Sequence, residues 1–181
     1  KNVVALIFSL FFYAWGAPDF IYLVGISLVI DFYIVRQISR SADNRKLFLW
    51  LSVILNIGML GYFKYANFFV DNFNEILNAF GMKQARWAEV ALPIGISFFT
   101  FQKLSYTIDI YRGTSRPLQK LTDYAMYIML FPQLIAGPIV RYNEIATQIV
   151  DRSAAENNDN RLRGMFRFCI GLSKKLLIAD T

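Results

Sequence analysis

Apolar residues fall along this chain in long uncharged blocks separated by short polar connectors. Val3 to Trp15 carries no charge, Phe20 to Val35 carries only Asp31, and Leu47 to Phe63 is a 17-residue run with none. Blocks of this length are helical rather than extended, and the last is at the short end of what crosses a bilayer. The pattern predicts helices at about 3–15 and 20–35 around a Gly16-Ala17-Pro18-Asp19 turn, and a third at 47–63. After Phe63 aromatic residues mix with Asn, Asp and Glu. Phe69, Phe73, Ile76, Leu77 and Phe80 share one helical face, which predicts an amphipathic helix lying in the membrane interface and closed by Gly81.

The stretch LPIGISFFTFQKLSYTIDIYRG then opens like a membrane helix and turns polar while keeping helical spacing. Gln102, Ser105, Tyr106 and Asp109 sit at i, i+3, i+4 and i+7 on one stripe, with Phe101, Leu104, Ile108 and Tyr111 opposite. A helix over 92–112 thus has one face suited to lipid. A charged Asp at mid-helix alone costs roughly 2.5–3.5 kcal/mol on insertion scales, so the stripe must face other helices or water. Two uses fit: bonding between helices, or lining an aqueous funnel. Lys103 flanks the stripe six residues from Asp109, and an i, i+3 pair of Asp109 with Arg112 is the simpler account of that acid. Asp31 is expected to be interfacial and paired with Arg36.

Residues 121–140 contain Pro132 and then Gly137-Pro138, which rules out a continuous helix of spanning length. Broken backbone at membrane depth is tolerated only inside protein or beside water, so this stretch is predicted to be re-entrant. A solvated, mobile loop over roughly 141–163 and a further helix from 164 are expected to follow.

Composition sharpens the class. The chain is 56% hydrophobic and 18% charged with a mean hydropathy of +0.38, against about 45–50% and 25% for soluble domains. An all-α, polytopic integral membrane bundle is the expectation; a soluble all-helical protein with a large core is the alternative. The net charge of +6 would suggest nucleic acid in a soluble chain. Here the cations cluster in two connectors, Arg36 to Lys46 and Arg112 to Lys120, beside apolar spans. That is the cytoplasmic bias of membrane proteins, so no nucleic-acid partner is expected. Cys169 is the only cysteine, and there is no histidine. No phosphate loop, nucleophile elbow or metal-ligand set occurs, so no metal and no bound cofactor are expected. Lys1 is not an initiator methionine and the last helix stops without a cap, so the chain is expected to be incomplete at both ends.

Together, LPIGISFFTFQKLSYTIDIYRG and MLFPQLIAGPIVRYNEI resemble the membrane-bound O-acyltransferase family, in its bacterial alginate O-acetyltransferase-like branch. FYAWGAPDF, LGYFKYANFF and GLSKKLLIAD extend the resemblance along most of the chain. It implies one membrane-embedded domain, of which residues 1–181 are the N-terminal part. The implied activity transfers an acetyl or other acyl group from an acyl-CoA or acyl carrier to hydroxyls of an extracytoplasmic polysaccharide such as alginate. The implied setting is the bacterial inner membrane, alongside additional transferase proteins. The family's catalytic histidine lies in its later half and matches no position here, so no catalytic residue is carried over. What carries over is a substrate path: Gln102, Ser105, Tyr106 and Asp109 with Pro132, Gly137, Pro138 and Arg141. A transporter or flippase using the same stripe and break is the rival function.

Overall fold

A computed structural model describes residues 1–41, 43–83, 87–134, 137, 140–153 and 156–179. Every element among them is helical: α1 Asn2–Gly16, a short 3-10 turn Pro18–Phe20, α2 Ile21–Arg40, α3 Arg45–Ala79, α4 Ile96–Arg112, α5 Leu121–Met129, α6 Phe131–Leu134, α7 Tyr142–Val150 and α8 Asn158–Lys174, followed by a π-helical turn Lys175–Ala179. The chain divides into two compact units, Lys1–Ile145 and the part from Ala146 onward. In the first, α2 packs on α3, α1 on α5, and α4 lies against α2, α3 and α5.

The third helix favours the membrane alternative over the soluble one. Its only buried residues are Ser52 and Asn56, while Leu47, Trp50, Leu51, Ile54 and Ile57 are exposed. In water the hydrophobic effect drives the opposite arrangement. In hydrocarbon, apolar side chains need no shelter and polar ones do. Both α2 with its preceding turn (Pro18–Arg40) and α3 are long and apolar enough to cross a membrane, with mean hydropathies of 1.7 and 1.6.

Four expected boundaries are corrected. The span at 47–63 and the amphipathic stretch after it are one uninterrupted helix of 35 residues, about 52 Å long. No proline interrupts it, and Gly58 and Gly61 alone do not break it. A separate interfacial helix is therefore not formed. The helix does end at Gly81, whose positive φ lets the Gly81 and Met82 N–H groups bond back to Asn78 and Leu77. Beyond it, the Asn67 amide holds Val90 by two hydrogen bonds, both 2.9 Å. Second, α4 starts at Ile96, not 92, because Pro93 and the left-handed Gly95 precede it. Third, the break in 121–140 falls at Leu130; Pro132 lies inside α6, in a first turn where its missing N–H is tolerated. Fourth, the loop at 141–163 contains α7, and its NNDN tract starts a helix: Asn157 caps α8 by accepting the Asn160 N–H at 2.7 Å.

Gly95 makes the start of α4 possible. It has φ +76°, and a Cβ there would lie 2.6 Å from the Leu134 carbonyl oxygen of α6. Gly113 shares the conformation, φ +75°, with open space around it. Gly113→Ala should cost about 1–2 kcal/mol of conformational energy. Gly95→Ala should cost visibly more, because the backbone of α6 must also move. Thermal unfolding of both variants in detergent micelles checks the order; equal losses would mean that α4 and α6 do not approach this closely.

Candidate functional site

The inner face of α4 carries the polar chemistry of the first unit. Gln102 and Tyr106 are buried, Ser105 and Asp109 half-buried, and Phe101 and Ile108 exposed. The buried face is nevertheless rotated relative to the stripe, since Thr100, Lys103 and Thr107 are all fully buried as well. Lys103, read from sequence as a flanking residue, is therefore interior. Its ammonium donates to Ser27 Oγ of α2 at 2.8 Å and lies 5.5 Å from the centre of the Phe99 ring. Among the described residues it forms no ion pair with Asp109, nor does Asp109 with Arg112.

The acid that organises this interior is Asp31, which sequence reasoning placed at the interface beside Arg36. The structure overturns that reading: Asp31 is fully buried in α2, and the Arg36 guanidinium sits over the Phe32 ring instead. Asp31 Oδ1 accepts from Ser52 Oγ at 2.6 Å and Asn56 Nδ2 at 2.8 Å, both on α3. Oδ2 accepts from the Tyr124 hydroxyl of α5 at 2.5 Å. Thr107 of α4 joins through Ser52 Oγ at 3.1 Å and donates to the Lys103 carbonyl at 2.9 Å. Four helices thus meet at one carboxylate, with the Lys103 charge close enough to interact with it. The cluster contains one negative and one positive charge, which is what makes its burial tolerable. Ser52 and Asn56, four apart on an apolar span, are the pattern that marks a partner face for such an acid.

A second cluster fixes the loops. Tyr106 packs against Tyr124, Tyr127 and Tyr142, with ring centroids 5.0, 6.3 and 4.7 Å away. The Tyr106 hydroxyl accepts from the Leu118 N–H at 2.8 Å. Tyr142 donates to the Arg116 carbonyl at 2.9 Å, and Tyr127 donates to the Val140 carbonyl at 3.1 Å. These bonds tie both irregular stretches to α4 and α5.

The break after α5 is satisfied by protein. The Gln133 amide donates to the Tyr127 carbonyl at 2.7 Å, and the Phe131 N–H donates to Ser9 Oγ of α1 at 3.2 Å. Gly137 is a packing requirement: a Cβ there would fall 2.3 Å from Gln133 Cα. Pro132 and Arg141 are exposed, Gly137 is half-buried, and Pro138 lies outside the described residues. Among the described residues no hydrogen bond joins these positions to the α4 stripe. On the stripe, Gln102 Oε1 and Asp109 Oδ2 are buried acceptors without a hydrogen-bond partner among the described residues, as is Asn56 Oδ1 nearby in α3. Among the described residues no Asp, Glu, His or Cys group could hold a metal ion.

Removing one member of the buried charge pair leaves the other uncompensated, at about 3–5 kcal/mol. Asp31→Asn and Lys103→Met should each destabilise the protein on that scale, and the double variant by clearly less than their sum. Unfolding of all three in micelles measures the coupling; strict additivity would show that the two charges do not sense each other.

No family model and no solved structure matches the chain. Curated relatives do. Over its whole length the chain is 40% identical to a probable alginate O-acetylase, AlgI, of Pseudomonas aeruginosa and 38% identical to that of Azotobacter vinelandii. Over 95% of its length it is 36% identical to a peptidoglycan O-acetyltransferase of Helicobacter pylori. It spans 35–37% of the length of these relatives. Identity on this scale from end to end makes the chain a homologue of these O-acetyltransferases, which are of the membrane-bound O-acyltransferase kind, over the part of their length that it spans.

Proposed function

We propose that this chain forms part of the wall of a multi-pass O-acyltransferase of the bacterial inner membrane, which moves an acetyl or other acyl group onto hydroxyls of an extracytoplasmic polysaccharide such as alginate. One observation carries the reading: 38–40% identity with alginate O-acetylases across the full chain. The named relatives are transferases, so passive permeation through the same helices is not favoured.

Acyl transfer to a sugar hydroxyl needs a general base, which in this reading is a histidine supplied outside residues 1–181. This part of the protein holds donor and acceptor in line and excludes bulk water. The polar face of α4 suits that task. Gln102 Oε1 and Asp109 Oδ2 are acceptors that need an O–H or N–H donor, and a polysaccharide acceptor is rich in O–H groups. Ser105 and Tyr106 share their face, and Pro132, Gly137, Pro138 and Arg141 would line the path where 121–140 dips into the membrane and returns to the side it left. The basic connectors at 36–46 and 112–120 would face the cytoplasm, where an acyl-CoA or acyl carrier is available. The second half of α3 would then emerge into the opposite headgroup region. Additional transferase proteins would complete the delivery to the polymer.

The test is polymer acetylation in cells carrying the full-length protein. Gln102→Leu and Asp109→Ala should each lower acetyl content about tenfold or more, on the scale of one lost hydrogen bond to a reacting or positioned group, with membrane levels of the protein unchanged. Wild-type acetylation in both variants would remove α4 from the substrate path.

A further inference from the structure

At the opposite end of the bundle from Gly95, where α2 ends, α3 begins and α4 stops, lies a cleft of about 350 Å³. Its walls include Ser39 and Arg40 from the end of α2, Arg45 at the start of α3, and Gly113, Ser115 and Arg116 after α4. Three arginines thus line one concavity, and among the described residues no acid lines it. The nearest acids in sequence are Asp109, half-buried beside the lining residue Ile110, and Asp43, on the exposed turn between α2 and α3.

The three arginines are not equivalent. Arg45 serves the fold: Nη2 donates to the Tyr111 carbonyl at 2.7 Å, and the guanidinium sits over the Tyr111 ring at 5.5 Å. Together with the Gly113 and Thr114 N–H groups, which bond to Ile110 and Asp109, and with Thr114 Oγ1 on the Asp109 carbonyl, it caps the end of α4. The helix end that would otherwise project negative potential into the cleft is therefore neutralised. The first turn of α3, whose amides carry the positive end of that helix dipole, has no side-chain cap. Arg40 and Arg116 are exposed, and among the described residues no hydrogen bond or ion pair occupies their side chains. Among the described residues the cleft is thus lined by three arginines and no acid, with the Arg40 and Arg116 side chains unengaged and two serines, Ser39 and Ser115, at its walls.

We propose that this cleft binds phosphate esters. A guanidinium offers paired N–H donors that match two phosphate oxygens, a match that a lysine ammonium lacks. Two such forks plus serine hydroxyls fit a phosphate monoester or diester better than a lone carboxylate. Two sources share this chemistry, a soluble phosphate-bearing cofactor and the headgroup of an anionic phospholipid. The cleft stands on its own geometry and does not depend on the acyl-transfer reading, and its test reads binding rather than turnover.

The experiment uses the full-length protein in neutral maltoside micelles. Coenzyme A is titrated as the soluble ester. Retention of phosphatidylglycerol over phosphatidylcholine of the same acyl chains, measured by native mass spectrometry, reports the lipid. Arg40→Gln/Arg116→Gln leaves the Arg45 cap in place. It should weaken at least one of the two probes tenfold or more, while Arg40→Lys/Arg116→Lys recovers only part of the loss. A loss confined to coenzyme A identifies the soluble source, and a loss confined to phosphatidylglycerol identifies the lipid; either supports the site. The proposal is overturned if the wild type binds neither probe above background, or if the Gln variant binds both as the wild type does.

Discussion

A single carboxylate inside an apolar bundle sets the geometry of everything around it. Asp31 presents two oxygens, and its donors come from Ser52 and Asn56 on α3 and Tyr124 on α5. An ionised acid away from water is tolerable only if its oxygens are bonded and a countercharge is near. Those conditions fix the rotation of α3 about its axis, the depth of α5 and the placement of Lys103 on α4. Because α3 turns two polar residues inward to meet Asp31, it must turn its leucines, isoleucines and Trp50 outward. An apolar environment, such as hydrocarbon, accepts that surface without penalty. The membrane environment and the buried acid are thus one constraint seen from two sides.

The tyrosine cluster extends the same logic to irregular backbone. The Leu118 N–H and the Arg116 and Val140 carbonyls lie on irregular backbone and find no partner within a helix. Tyr106, Tyr127 and Tyr142 answer them with hydroxyls carried on rings that also pack against one another. Ser9 and Gln133 do so at the break itself. Among the described residues, the connections from α4 to α7 are thus held by tyrosines that also pack on one another.

Much of this was legible in the chain. Uncharged blocks announced the helices, and the 3.6-residue spacing of Gln102, Tyr106 and Asp109 announced a polar face on α4. What escaped was non-local. Asp31 finds its partners 21, 25 and 93 residues away, and no local pattern around it names them. The i, i+4 pair Ser52 and Asn56 was a usable sign, masked by the apolar run in which it sits. Lys103 was read as flanking the stripe, six residues from Asp109; its partner is instead Ser27 on α2, 76 residues away, which no local spacing names. Pro132 and Gly137-Pro138 were read together as the break, yet proline is harmless in the first turn of a helix, and α5 already ends before Leu130. The α3 boundary failed for the opposite reason: amphipathic and apolar stretches both propagate helix, and nothing between them stops it.

The central claim is that α3 shows lipid its apolar face and protein its polar one. Nitroxide labels introduced through Leu51→Cys, Ile54→Cys and Ile57→Cys, and separately through Ser52→Cys and Asn56→Cys, test it directly in the full-length protein with Cys169 replaced by Ser. Collision rates with oxygen, which partitions into lipid, and with a water-soluble nickel chelate are then compared. Oxygen contact without nickel contact is expected at 51, 54 and 57, and neither at 52 and 56. Oxygen contact at 52 and 56 equal to that at 54 would contradict it.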